Sequence, residues 1–423
     1  MDKLLINGPS KLEGSVHVSS SKNASLPILA ATILFPQKIN FKELPNLSDI
    51  KFFIKILESL GATTDGEIDN LYIDASELSN TVADYDLVRK MRASILVLGP
   101  LLSRYGKAKV SLPGGCAIGS RPVDIHLSGL EKMGAQISIE GGYVLAECER
   151  LKGSLINLSF ASVGATENLM MAAVWAEGTT IIENAAMEPE IVDLARFLKT
   201  FGTEIKGEGT SRIEIVGRKF SEYKYCEHLP YKVIGDRIEA ATYIIAGIMT
   251  KSQIKITGFN PEHLRSVLDR LEVMGAQFHI GTNEVDVLES CELKGSKVET
   301  APYPGFPTDV QAQMMALMGI VPGQSIVSEH IFENRFMHVP ELNRMGMKIE
   351  LDGHNALVTG GQELSSAPVM CTDLRASAAL VLAALVAKGE TEISRIYHLD
   401  RGYDSLYEKL KKMGAQIQRV KES

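Results

Sequence analysis

The stretch Leu130-Glu131-Lys132-Met133-Gly134-Ala135-Gln136-Ile137-Ser138-Ile139 decides the fold, because its first five residues follow a phrase that occurs six times along the chain. Each copy has a leucine, two variable residues, a leucine, methionine or phenylalanine, and a glycine. The six glycines are Gly61, Gly134, Gly202, Gly275, Gly346 and Gly414. Successive glycines lie 73, 68, 73, 71 and 68 residues apart, so the chain is an array of six repeats.

Each repeat is predicted to contain an outward-facing helix followed by a strand. The apolar spacing before the glycine is typical of an amphipathic helix, and the glycine supplies the left-handed residue that ends it. The residues that follow alternate between polar and apolar, as in Gln136-Ile137-Ser138-Ile139 and Lys348-Ile349-Glu350-Leu351, which indicates a strand. Every repeat therefore ends a helix and turns into a sheet.

A second, more apolar helix is predicted in each repeat, and a short polar cluster precedes it. The run from Ser377 to Val386 is apolar on nearly every side, so these helices should lie in the interior. The polar clusters begin at Ser21, Met91, Val163, Gly235, Thr308 and Asp373. The sequence thus predicts inner helices, outer helices and sheets in every repeat.

Four of the inner-helix starts carry a basic residue: Lys22, Arg92, Arg237 and Arg375. A cation beside the positive end of a helix dipole is repelled, so this placement costs helix stability. If the inner helices of a domain run parallel, their amino ends also pool unpaired N–H groups, which attract anions. Any one of the four could be a chance residue on a solvated face, but their equivalent positions favour a site for an anionic substrate.

Six repeats are too many for one hydrophobic core, so three plus three is the economical grouping. We predict an α/β (α+β) fold with two domains, the first spanning residues 22–230 and carrying Cys116. The opening segment through Ser21 has no helix pair of its own, whereas the last repeat stops soon after its strand. The second domain should therefore combine residues 1–21 with 231–423, with the N-terminal strand returning to complete it.

The composition excludes several classes of protein. A formal net charge of −8 disfavours a nucleic-acid binder, which presents a basic face. The five cysteines lie far apart without a C-x-x-C pair, which argues against a disulfide framework or a zinc knuckle. We find no basic segment followed by a long apolar run, and therefore expect neither a signal peptide nor a membrane span. These patterns predict a cytoplasmic protein without nucleic-acid or membrane partners, and they leave the oligomeric state open.

The loop Pro113-Gly114-Gly115-Cys116-Ala117-Ile118-Gly119-Ser120-Arg121-Pro122 is the most unusual stretch of the chain. Three glycines around one cysteine predict a mobile, exposed loop, and cations such as Arg121 would favour the thiolate. The thiol would then react or donate a proton near neutral pH. A glycine-rich turn with an incidental cysteine is the alternative. The loop matches neither a dinucleotide-binding nor a P-loop fingerprint.

Residues in three further turns have alternative interpretations. Asp309 could cap its helix or, in an apolar cleft rimmed by cations, accept a proton as a base. For His338 and His398 a structural hydrogen bond is the simpler interpretation. Arg335 and Arg401 lie in the same two turns and are harder to explain without a ligand.

At these residues the chain resembles the UDP-N-acetylglucosamine 1-carboxyvinyltransferase family, also called UDP-N-acetylglucosamine enolpyruvyl transferases, over essentially its full length. The agreeing blocks are Ser21-Lys22-Asn23-Ala24, Met91-Arg92-Ala93-Ser94, Gly114-Gly115-Cys116-Ala117-Ile118-Gly119, Arg121-Pro122-Val123-Asp124, Ser162-Val163-Gly164-Ala165-Thr166, Phe306-Pro307-Thr308-Asp309, Glu333-Asn334-Arg335-Phe336-Met337-His338 and Asp400-Arg401-Gly402-Tyr403. The resemblance implies a two-domain inside-out α/β barrel built from six βαβαββ repeats, three per domain, with the active site in the cleft between the domains.

The resemblance also implies an addition-elimination reaction that starts peptidoglycan precursor synthesis. The 3-hydroxyl of UDP-N-acetylglucosamine would attack C2 of phosphoenolpyruvate while C3 is protonated. Loss of a proton and of inorganic phosphate from the resulting tetrahedral ketal would restore the double bond. No metal or redox cofactor is expected. Closure of the two domains, with the Cys116 loop as a lid, would exclude water.

The family pattern assigns roles to individual residues. Cys116 matches the general acid that protonates C3, and Asp309 matches the residue that accepts the hydroxyl proton. The remaining expected site residues are Lys22, Arg121 and Arg401 for phosphoenolpyruvate, with Lys22 and Arg401 also counted as catalytic; Asn23, Arg92, Arg335 and Arg375 lining the same cleft; Arg121, Pro122, Val123, Asp124 and Ile125 for uracil; Ser162, Val163 and Gly164 for the diphosphate; and Ile331 for a backbone contact to the sugar.

Three departures from the family pattern bear on these roles. Phe160 stands where part of the family has a lysine that reaches the diphosphate, Gly235 replaces the usual proline before Asp236, and Ser120 replaces a common alanine. None of them removes a catalytic group. Two alternatives stay open: an enolpyruvyl transferase that acts on shikimate 3-phosphate, and a non-catalytic relative that binds the nucleotide sugar.

Overall fold

The computed structural model describes residues 2–83, 85, 91–112, 123–290 and 292–421 of the chain. Within these residues the chain divides into two compact units: the first unit, residues 20–112 and 123–234, and the second unit, residues 2–19 and 235–421. The chain passes between them at Ser19–Ser20 and Ile234–Gly235, a few residues from the boundaries expected at 22 and 230.

The strands of the described residues are numbered β1 to β24 in chain order. They are β1 Asp2–Gly8, β2 Ser15–His17, β3 Lys38–Lys42, β4 Thr63–Glu67, β5 Asn70–Asp74, β6 Val82–Ala83, β7 Lys107–Ser111, β8 Gln136–Glu140, β9 Tyr143–Glu147, β10 Leu155–Asn157, β11 Thr179–Glu183, β12 Glu204–Lys206, β13 Arg212–Val216, β14 Tyr231–Lys232, β15 Ile254–Thr257, β16 Phe278–Ile280, β17 Glu284–Val287, β18 Lys297–Glu299, β19 Gln324–Ser328, β20 Lys348–Asp352, β21 Asn355–Thr359, β22 Val369–Met370, β23 Gly389–Ser394 and β24 Gln416–Lys421.

The described residues form six four-stranded sheets, which share one arrangement of strands. In the first unit their orders are β14-β3-β5-β4, β6-β7-β9-β8 and β10-β11-β13-β12. In the second unit they are β16-β17-β15-β2, β18-β19-β21-β20 and β22-β23-β1-β24. Each sheet has one parallel pair at its edge and two antiparallel pairs, for example β18 with β19 and then β19 with β21 and β21 with β20. These are the predicted βαβαββ repeats, and no sheet among the described residues closes on itself.

The second unit is completed by strands from the beginning of the chain. Strand β1 lies between β23 and β24 and is antiparallel to both, with Leu4 opposite Ile393 on one side and Arg419 on the other. Strand β2 pairs in parallel with β15, with Val16 opposite Ile256. In the first unit, β14 is the last strand in the sequence, and it pairs in parallel with β3, which is the first. Each unit therefore joins strands that are distant in sequence.

The inner helices are buried on almost every side, as the sequence predicts. All residues of Arg237–Met249 are buried, and so are the residues from Ala376 to Leu385. Within each unit these helices pack on one another, and the alternating buried residues of the strands cover them. The inner helices are Lys22–Ala31, Leu98–Tyr105, Val163–Ala173, Arg237–Met249, Gln311–Ile320 and Ala376–Val386.

The outer helices bury one face each and end at the repeated glycine. In Ser48–Leu60 the buried residues include Ile50, Phe53, Leu57 and Leu60, which share a face. All six repeated glycines have φ between 82° and 107°, so the predicted left-handed helix ends are confirmed. The outer helices are Ser48–Leu60, Asp124–Lys132, Pro189–Thr200, Arg265–Val273, Val339–Arg344 and Leu406–Lys412. Short 3-10 helices cover Thr32–Leu34, Arg92–Val97, Phe220–Glu222, Pro261–Leu264, Thr308–Val310 and Ile396–Arg401.

Two inner helices of the first unit approach each other closely at Gly99. Its N–H donates to Oδ1 of Asn168 at 2.6 Å, and a side-chain carbon at this position would lie 2.3 Å from the Asn168 carbonyl oxygen. Since carbon and oxygen atoms cannot approach so closely, only glycine fits without a backbone shift.

None of the helices in the described ranges has both the length and the apolar character needed to cross a membrane.

Candidate active site

Asp309 lies between two arginines at the amino end of an inner helix. It belongs to the 3-10 turn Thr308–Val310, which leads directly into Gln311–Ile320. Its Oδ1 accepts a hydrogen bond from Nη2 of Arg335 at 2.9 Å, and its Oδ2 accepts one from Nε of Arg375 at 3.2 Å. The arginine side chains are 5% and 2% exposed, whereas that of Asp309 is 24% exposed. A ligand can therefore reach the carboxylate while the two cations behind it stay fixed.

Arg375 is held in place from several sides and stays charged. Its Nη1 donates to the carbonyl oxygen of Gly402 at 3.3 Å, and its backbone N–H donates to Oδ1 of Asp373, which caps the following helix. Burial alone would lower the pKa of Arg375, but the charges of Asp309 and Asp236 raise it above the ordinary value for arginine. The guanidinium is thus a permanent positive charge in the interior.

The amino ends of the three inner helices of the second unit adjoin one another. The Asp309–Arg375 pair joins the start of Gln311–Ile320 to the start of Ala376–Val386. Asp236 caps the third helix, Arg237–Met249, by accepting from the N–H groups of Ile238 and Glu239, and its charge acts on Arg375. The predicted gathering of helix starts is confirmed within this unit.

Ile331 and Arg401 flank the same cluster. The N–H of Ile331 donates to Oε1 of the buried Glu329 at 2.8 Å, so a contact from Ile331 to a ligand would use its carbonyl oxygen. Glu329 also accepts from the hydroxyls of Thr300 and Thr308, at 2.9 and 2.8 Å, and so ties this turn to the one that carries Asp309. Arg401 is half-buried and directly precedes Gly402, the residue that holds Arg375.

His338 and His398 lie in the turns that carry Arg335 and Arg401, and both are neutral near pH 7. Burial lowers the pKa of the fully buried His338 to about 4. Burial, with the nearby charge of Arg401, also lowers the pKa of His398. Neither ring therefore adds to the positive charge that the arginines supply.

In the first unit, Lys22 is paired with a carboxylate that the sequence did not single out. It is the first residue of the inner helix Lys22–Ala31, and Ser21 caps that helix. Nζ of Lys22 lies 3.1 Å from Oδ2 of Asp49, and both side chains are 8% exposed. Asp49 sits in the first turn of an outer helix, where an acidic residue is ordinary, so its sequence position gave no signal. The half-buried Asn23 follows Lys22, and Arg92 opens the 3-10 helix Arg92–Val97.

The expected diphosphate contacts form a regular helix start. Ser162 caps Val163–Ala173 by accepting from the N–H of Ala165 at 3.3 Å. The N–H groups of Val163 and Gly164 belong to the first turn, where helical geometry leaves such donors without an intrahelical acceptor. This is the arrangement that binds phosphate oxygens in many proteins.

His126 lies beside this helix start and was not predicted as a site residue. Nδ2 of Asn168 lies 3.1 Å from Nδ1 of His126, while Oδ1 of the same amide accepts from Gly99. Nδ2 must therefore be the donor, and the proton of the imidazole sits on Nε2. A carbon added to Gly164 would lie 3.4 Å from Cε1 of His126. Burial lowers the pKa of His126 to about 4, so the ring is neutral.

The remaining predicted residues are only partly described. Asp124 opens the outer helix Asp124–Lys132, with Val123 before it and Ile125 after it. Cys116, Ser120, Arg121 and Pro122 lie outside the described residues. The structure thus brings together Asp309, Arg335 and Arg375 within the second unit. Ile331 is linked to the Asp309 turn through Glu329, and Arg401 is next in sequence to Gly402, which binds Arg375. The first unit holds the other described site residues: Lys22, Asn23, Arg92, Val123, Asp124, Ile125, Ser162, Val163 and Gly164.

Nowhere in the described ranges do three or more His, Cys, Asp or Glu residues form a group that could hold a metal ion.

Comparison with known proteins identifies the family. The family model for EPSP synthase (3-phosphoshikimate 1-carboxyvinyltransferase) matches residues 6–418. The UDP-N-acetylglucosamine 1-carboxyvinyltransferase of Geobacter metallireducens is 52% identical over 422 residues, which cover 100% of both chains. The enzyme of the same name from Acinetobacter baylyi is 52% identical over 423 residues, covering 99% of this chain and 100% of that one. The chain belongs to the UDP-N-acetylglucosamine 1-carboxyvinyltransferase family.

Solved structures agree with a carboxyvinyltransferase fold. The enolpyruvyl transferase NikO from Streptomyces tendae superposes with a TM-score of 0.88 at 26% identity, covering 100% of this chain and 99% of that one. EPSP synthase from Acinetobacter baumannii superposes with a TM-score of 0.77 at 17% identity over the full length of both chains, and this match supports the fold alone.

Two of the departures from the carboxyvinyltransferase pattern have a structural context. Phe160 is 45% exposed and lies two residues before Ser162, so this helix start has an exposed apolar ring beside it. A side-chain carbon on Gly235 would lie 1.9 Å from the carbonyl oxygen of Gly258. The backbone at this crossing between the units therefore requires a glycine, and a proline here would need a different path for the chain.

Proposed function

We propose that this chain transfers the enolpyruvyl group of phosphoenolpyruvate to the 3-hydroxyl of UDP-N-acetylglucosamine and releases inorganic phosphate. The observation that carries the proposal is the pairing of Asp309 with two buried arginines, in a chain 52% identical over its full length to enzymes named for this reaction. The reaction supplies a precursor of peptidoglycan, and the cytoplasmic location expected from the sequence is part of the proposal.

Asp309 is suited to accept the proton of the attacking hydroxyl. The carboxylate is partly exposed and anchored by cations, so a hydroxyl can approach an oxygen whose position is fixed. When the hydroxyl oxygen bonds to C2 of phosphoenolpyruvate, its proton passes to Asp309 and the carboxylate loses its charge. Arg335 and Arg375 then keep their positive charges close to the phosphate and carboxylate of the substrate, which supports the developing negative charge.

The same addition needs an acid that protonates C3, and Cys116 is proposed for this role. The π electrons of the C2–C3 bond take the thiol proton at C3 as the C2–O bond forms, which gives the tetrahedral ketal. In the elimination, the Cys116 thiolate takes a proton back from C3, the C2–C3 double bond reforms as the C2–O bond to phosphate breaks, and the proton held by Asp309 leaves with the inorganic phosphate. Lys22, Asn23, Arg92, Arg121 and Arg401 are proposed to bind phosphoenolpyruvate alongside Arg335 and Arg375. This assignment requires residues of both units to meet at one substrate.

The nucleotide sugar is proposed to bind through backbone and side-chain groups spread over several turns. The N–H groups of Val163 and Gly164 lie in the first turn of a capped helix, which suits them to the diphosphate. Residues 121–125 are assigned to uracil, and the carbonyl of Ile331 to the sugar. Because Phe160 offers no charge, the backbone donors and the neutral His126 carry more of the diphosphate contact than in relatives with a lysine.

Phosphate release tests the proposal directly. Phosphoenolpyruvate is mixed with UDP-N-acetylglucosamine in one assay and with shikimate 3-phosphate in another, and inorganic phosphate is measured over time. We expect turnover with the nucleotide sugar alone. Turnover with shikimate 3-phosphate would favour that acceptor instead. Tight binding of the nucleotide sugar without phosphate release would indicate a non-catalytic relative.

Labelling of the cysteines tests the role of Cys116. Fosfomycin, the epoxide inhibitor of this family, should alkylate Cys116, and Cys116→Ser should largely abolish turnover. Cys148→Ser is the matched control, because burial raises the pKa of the half-buried Cys148 and makes it a poor nucleophile. Mass spectrometry that finds the adduct on Cys148, with activity lost in parallel, would reject the assignment.

A further inference from the structure

Behind the Asp309–Arg375 pair, three buried polar side chains join the inner helices of the second unit. Thr242 lies on Arg237–Met249, Gln313 lies on Gln311–Ile320, and Tyr403 follows the 3-10 turn that ends at Arg401. The Thr242 hydroxyl lies 2.9 Å from that of Tyr403, and Nε2 of Gln313 lies 3.0 Å from the Tyr403 hydroxyl. All three residues are at most 2% exposed. We call them the buried trio.

The direction of each hydrogen bond in the buried trio can be worked out. The Thr242 hydroxyl donates to the carbonyl of Ile238 at 3.0 Å, so it must accept from Tyr403. Burial raises the pKa of Tyr403, and its hydroxyl keeps the proton that it donates. One N–H of Gln313 donates to the backbone carbonyl of Asp309 at 3.0 Å, and the other is shared between the Tyr403 hydroxyl at 3.0 Å and the Thr242 hydroxyl at 3.3 Å. The Tyr403 hydroxyl is thus both donor and acceptor at the centre of the trio.

Two contacts link the buried trio to the charged pair. The Gln313 amide holds the backbone of Asp309, as described above. The Arg375 guanidinium lies 5.3 Å from the centroid of the Tyr403 ring, and it donates to the carbonyl of Gly402, the neighbour of Tyr403. The trio therefore contacts both partners of the ion pair, and it reaches them from the side that the core buries.

Burying the polar groups of the trio costs free energy. Each polar group taken from water must regain its hydrogen bonds, and apolar side chains of similar size would pack between these helices without that cost. The side chains of Thr242, Gln313 and Tyr403 come from two helices and one turn, and their hydrogen bonds join these three elements. Such a set fixes the rotation and depth of each helix start relative to the others, which apolar contacts specify less sharply.

We propose that Tyr403, Gln313 and Thr242 are positioning residues that hold the Asp309 carboxylate and the Arg375 guanidinium in register for proton acceptance from the acceptor hydroxyl. This inference rests on the function proposed above. None of the three touches substrate, and each acts through Asp309 or Arg375. Displacement of a fixed catalytic group by a fraction of an ångström lowers the rate of the chemical step more than it weakens binding.

Tyr403→Phe is the central test, because it removes one hydroxyl and keeps the ring over Arg375. We expect kcat to fall by about tenfold to a hundredfold, the range typical for partners of catalytic groups. The KM for UDP-N-acetylglucosamine should change by less than about threefold, since most of its proposed contacts lie on other turns. Tyr243→Phe is the matched control: Tyr243 neighbours Thr242 on the same helix, is 0% exposed, and lies outside the trio. Its kcat should stay at the wild-type value.

A double mutant distinguishes positioning from general loss of stability. In the Asp309→Asn background, adding Tyr403→Phe should lower the residual rate by less than about threefold, because the two changes then affect the same step. Thr242→Val, which removes the acceptor of the Tyr403 proton at nearly constant volume, should reproduce the fall in kcat if Tyr403→Phe does not fold. Equal, small effects of Tyr403→Phe and Tyr243→Phe on kcat would overturn the proposal. So would full additivity with Asp309→Asn.

The two proposals fail in different ways. If the wild-type chain releases no phosphate with UDP-N-acetylglucosamine, the proposed function fails, and positioning is then decided by crystal structures. In the Tyr403→Phe structure we expect the Asp309 and Arg375 side chains to separate beyond the 3.2 Å of the present pair. An unchanged pair in that variant would overturn the positioning role, whatever the chain catalyses.

Discussion

At the scale of single residues, Asp309 carries one negative charge between two guanidinium groups. Asp309→Asn keeps the shape of the side chain but removes both its basicity and its charge. We expect kcat to fall at least about a hundredfold, as for loss of a general base. Binding of UDP-N-acetylglucosamine, measured by titration calorimetry, should stay within about threefold of wild type, because its contacts are spread over many donors.

The control for this variant is Glu350→Gln, which neutralises an exposed carboxylate on β20 of the same unit. It should leave both kcat and nucleotide affinity unchanged. If Asp309→Asn abolishes nucleotide binding together with turnover, Asp309 holds the nucleotide sugar in place, and its assignment as a base separate from binding is wrong.

His126 gives the stability of the chain a defined dependence on pH. Its pKa of about 4 lies below the ordinary value of 6.5, so between these pH values the unfolded chain binds a proton that the folded chain does not. The free energy of unfolding should therefore fall as the pH is lowered from about 6.5 to 4, by about 2 kcal/mol at pH 5. Above pH 6.5 this contribution is constant.

Urea unfolding at pH 7 and pH 5 measures the effect. His126→Gln should lose stability at pH 7 through its disturbed contact with Asn168, yet show a smaller decrease between the two pH values than wild type. His279→Gln, at an exposed position of β16, should keep the wild-type decrease. If the free energy of unfolding of His126→Gln decreases between pH 7 and pH 5 as much as that of wild type, the imidazole titrates normally in the folded chain.

The sequence identified the charged residues of the second unit but not their partners. Asp309, Arg335 and Arg375 could be named, yet Asp309 contacts an arginine 26 residues away and another 66 residues away. Such contacts depend on how helices pack, which a repeat pattern does not specify. Asp49, His126 and Glu329 were missed for the same reason, because each has an ordinary local context and acquires its role only through a distant neighbour.

At the scale of helices and strands, the pattern of one repeat predicted the elements well. Inner and outer helices follow from apolar spacing, and the left-handed ends follow from the glycines, because both depend on neighbouring residues alone. The close approach at Gly99 was not predicted. Nothing near Gly99 in the sequence shows that the backbone of another helix will lie within reach of its missing side chain.

Gly99→Ala should therefore push two inner helices of the first unit apart. A methyl group would meet the Asn168 carbonyl at 2.3 Å, and overpacking of this kind costs about 1–3 kcal/mol. Gly134→Ala is an instructive comparison, since no atom lies within 4 Å of the added carbon and only its φ of 92° is unfavourable. That variant should lose about 1 kcal/mol.

Thermal unfolding followed by circular dichroism compares these two glycine variants. The larger loss is expected for Gly99→Ala, together with reduced turnover, because the 3-10 helix that begins at Arg92 leads directly into the displaced helix. A smaller loss for Gly99→Ala than for Gly134→Ala would show that the inner helices adjust easily at this contact.

At the scale of the whole molecule, the six repeats could be counted from their spacing, and their grouping in threes followed from the usual size of a domain. The pairing partners of the terminal strands could only be inferred from what each end of the chain lacked. Strand β1 proves to occupy a central place, with β23 and β24 bonded to its two edges. Leu4 and Ile6, both 0% exposed, fill the core beneath it.

Deletion of residues 1–8 should therefore disrupt the second unit selectively. It removes the backbone partners of two strands and two fully buried side chains, and large-to-small changes in a core cost about 2–5 kcal/mol for each such side chain. Amide hydrogen exchange should show lost protection in β23 and β24 and retained protection in β11 and β13. Loss of protection in both units to the same extent would mean that they unfold as one.

The place of β1 also determines the order in which the chain can mature during synthesis. The ribosome completes residues 20–234 as one continuous segment, which can begin to fold as soon as it emerges. Strand β2 gains its partner β15 once residue 257 has been added, whereas β1 has neither of its partner strands until the polypeptide extends past residue 389, where β23 begins, and then past residue 416, where β24 begins. Strand β1 is therefore among the last elements of the chain to pair, and the buried side chains of Leu4 and Ile6 lack their neighbours in the sheet for most of translation.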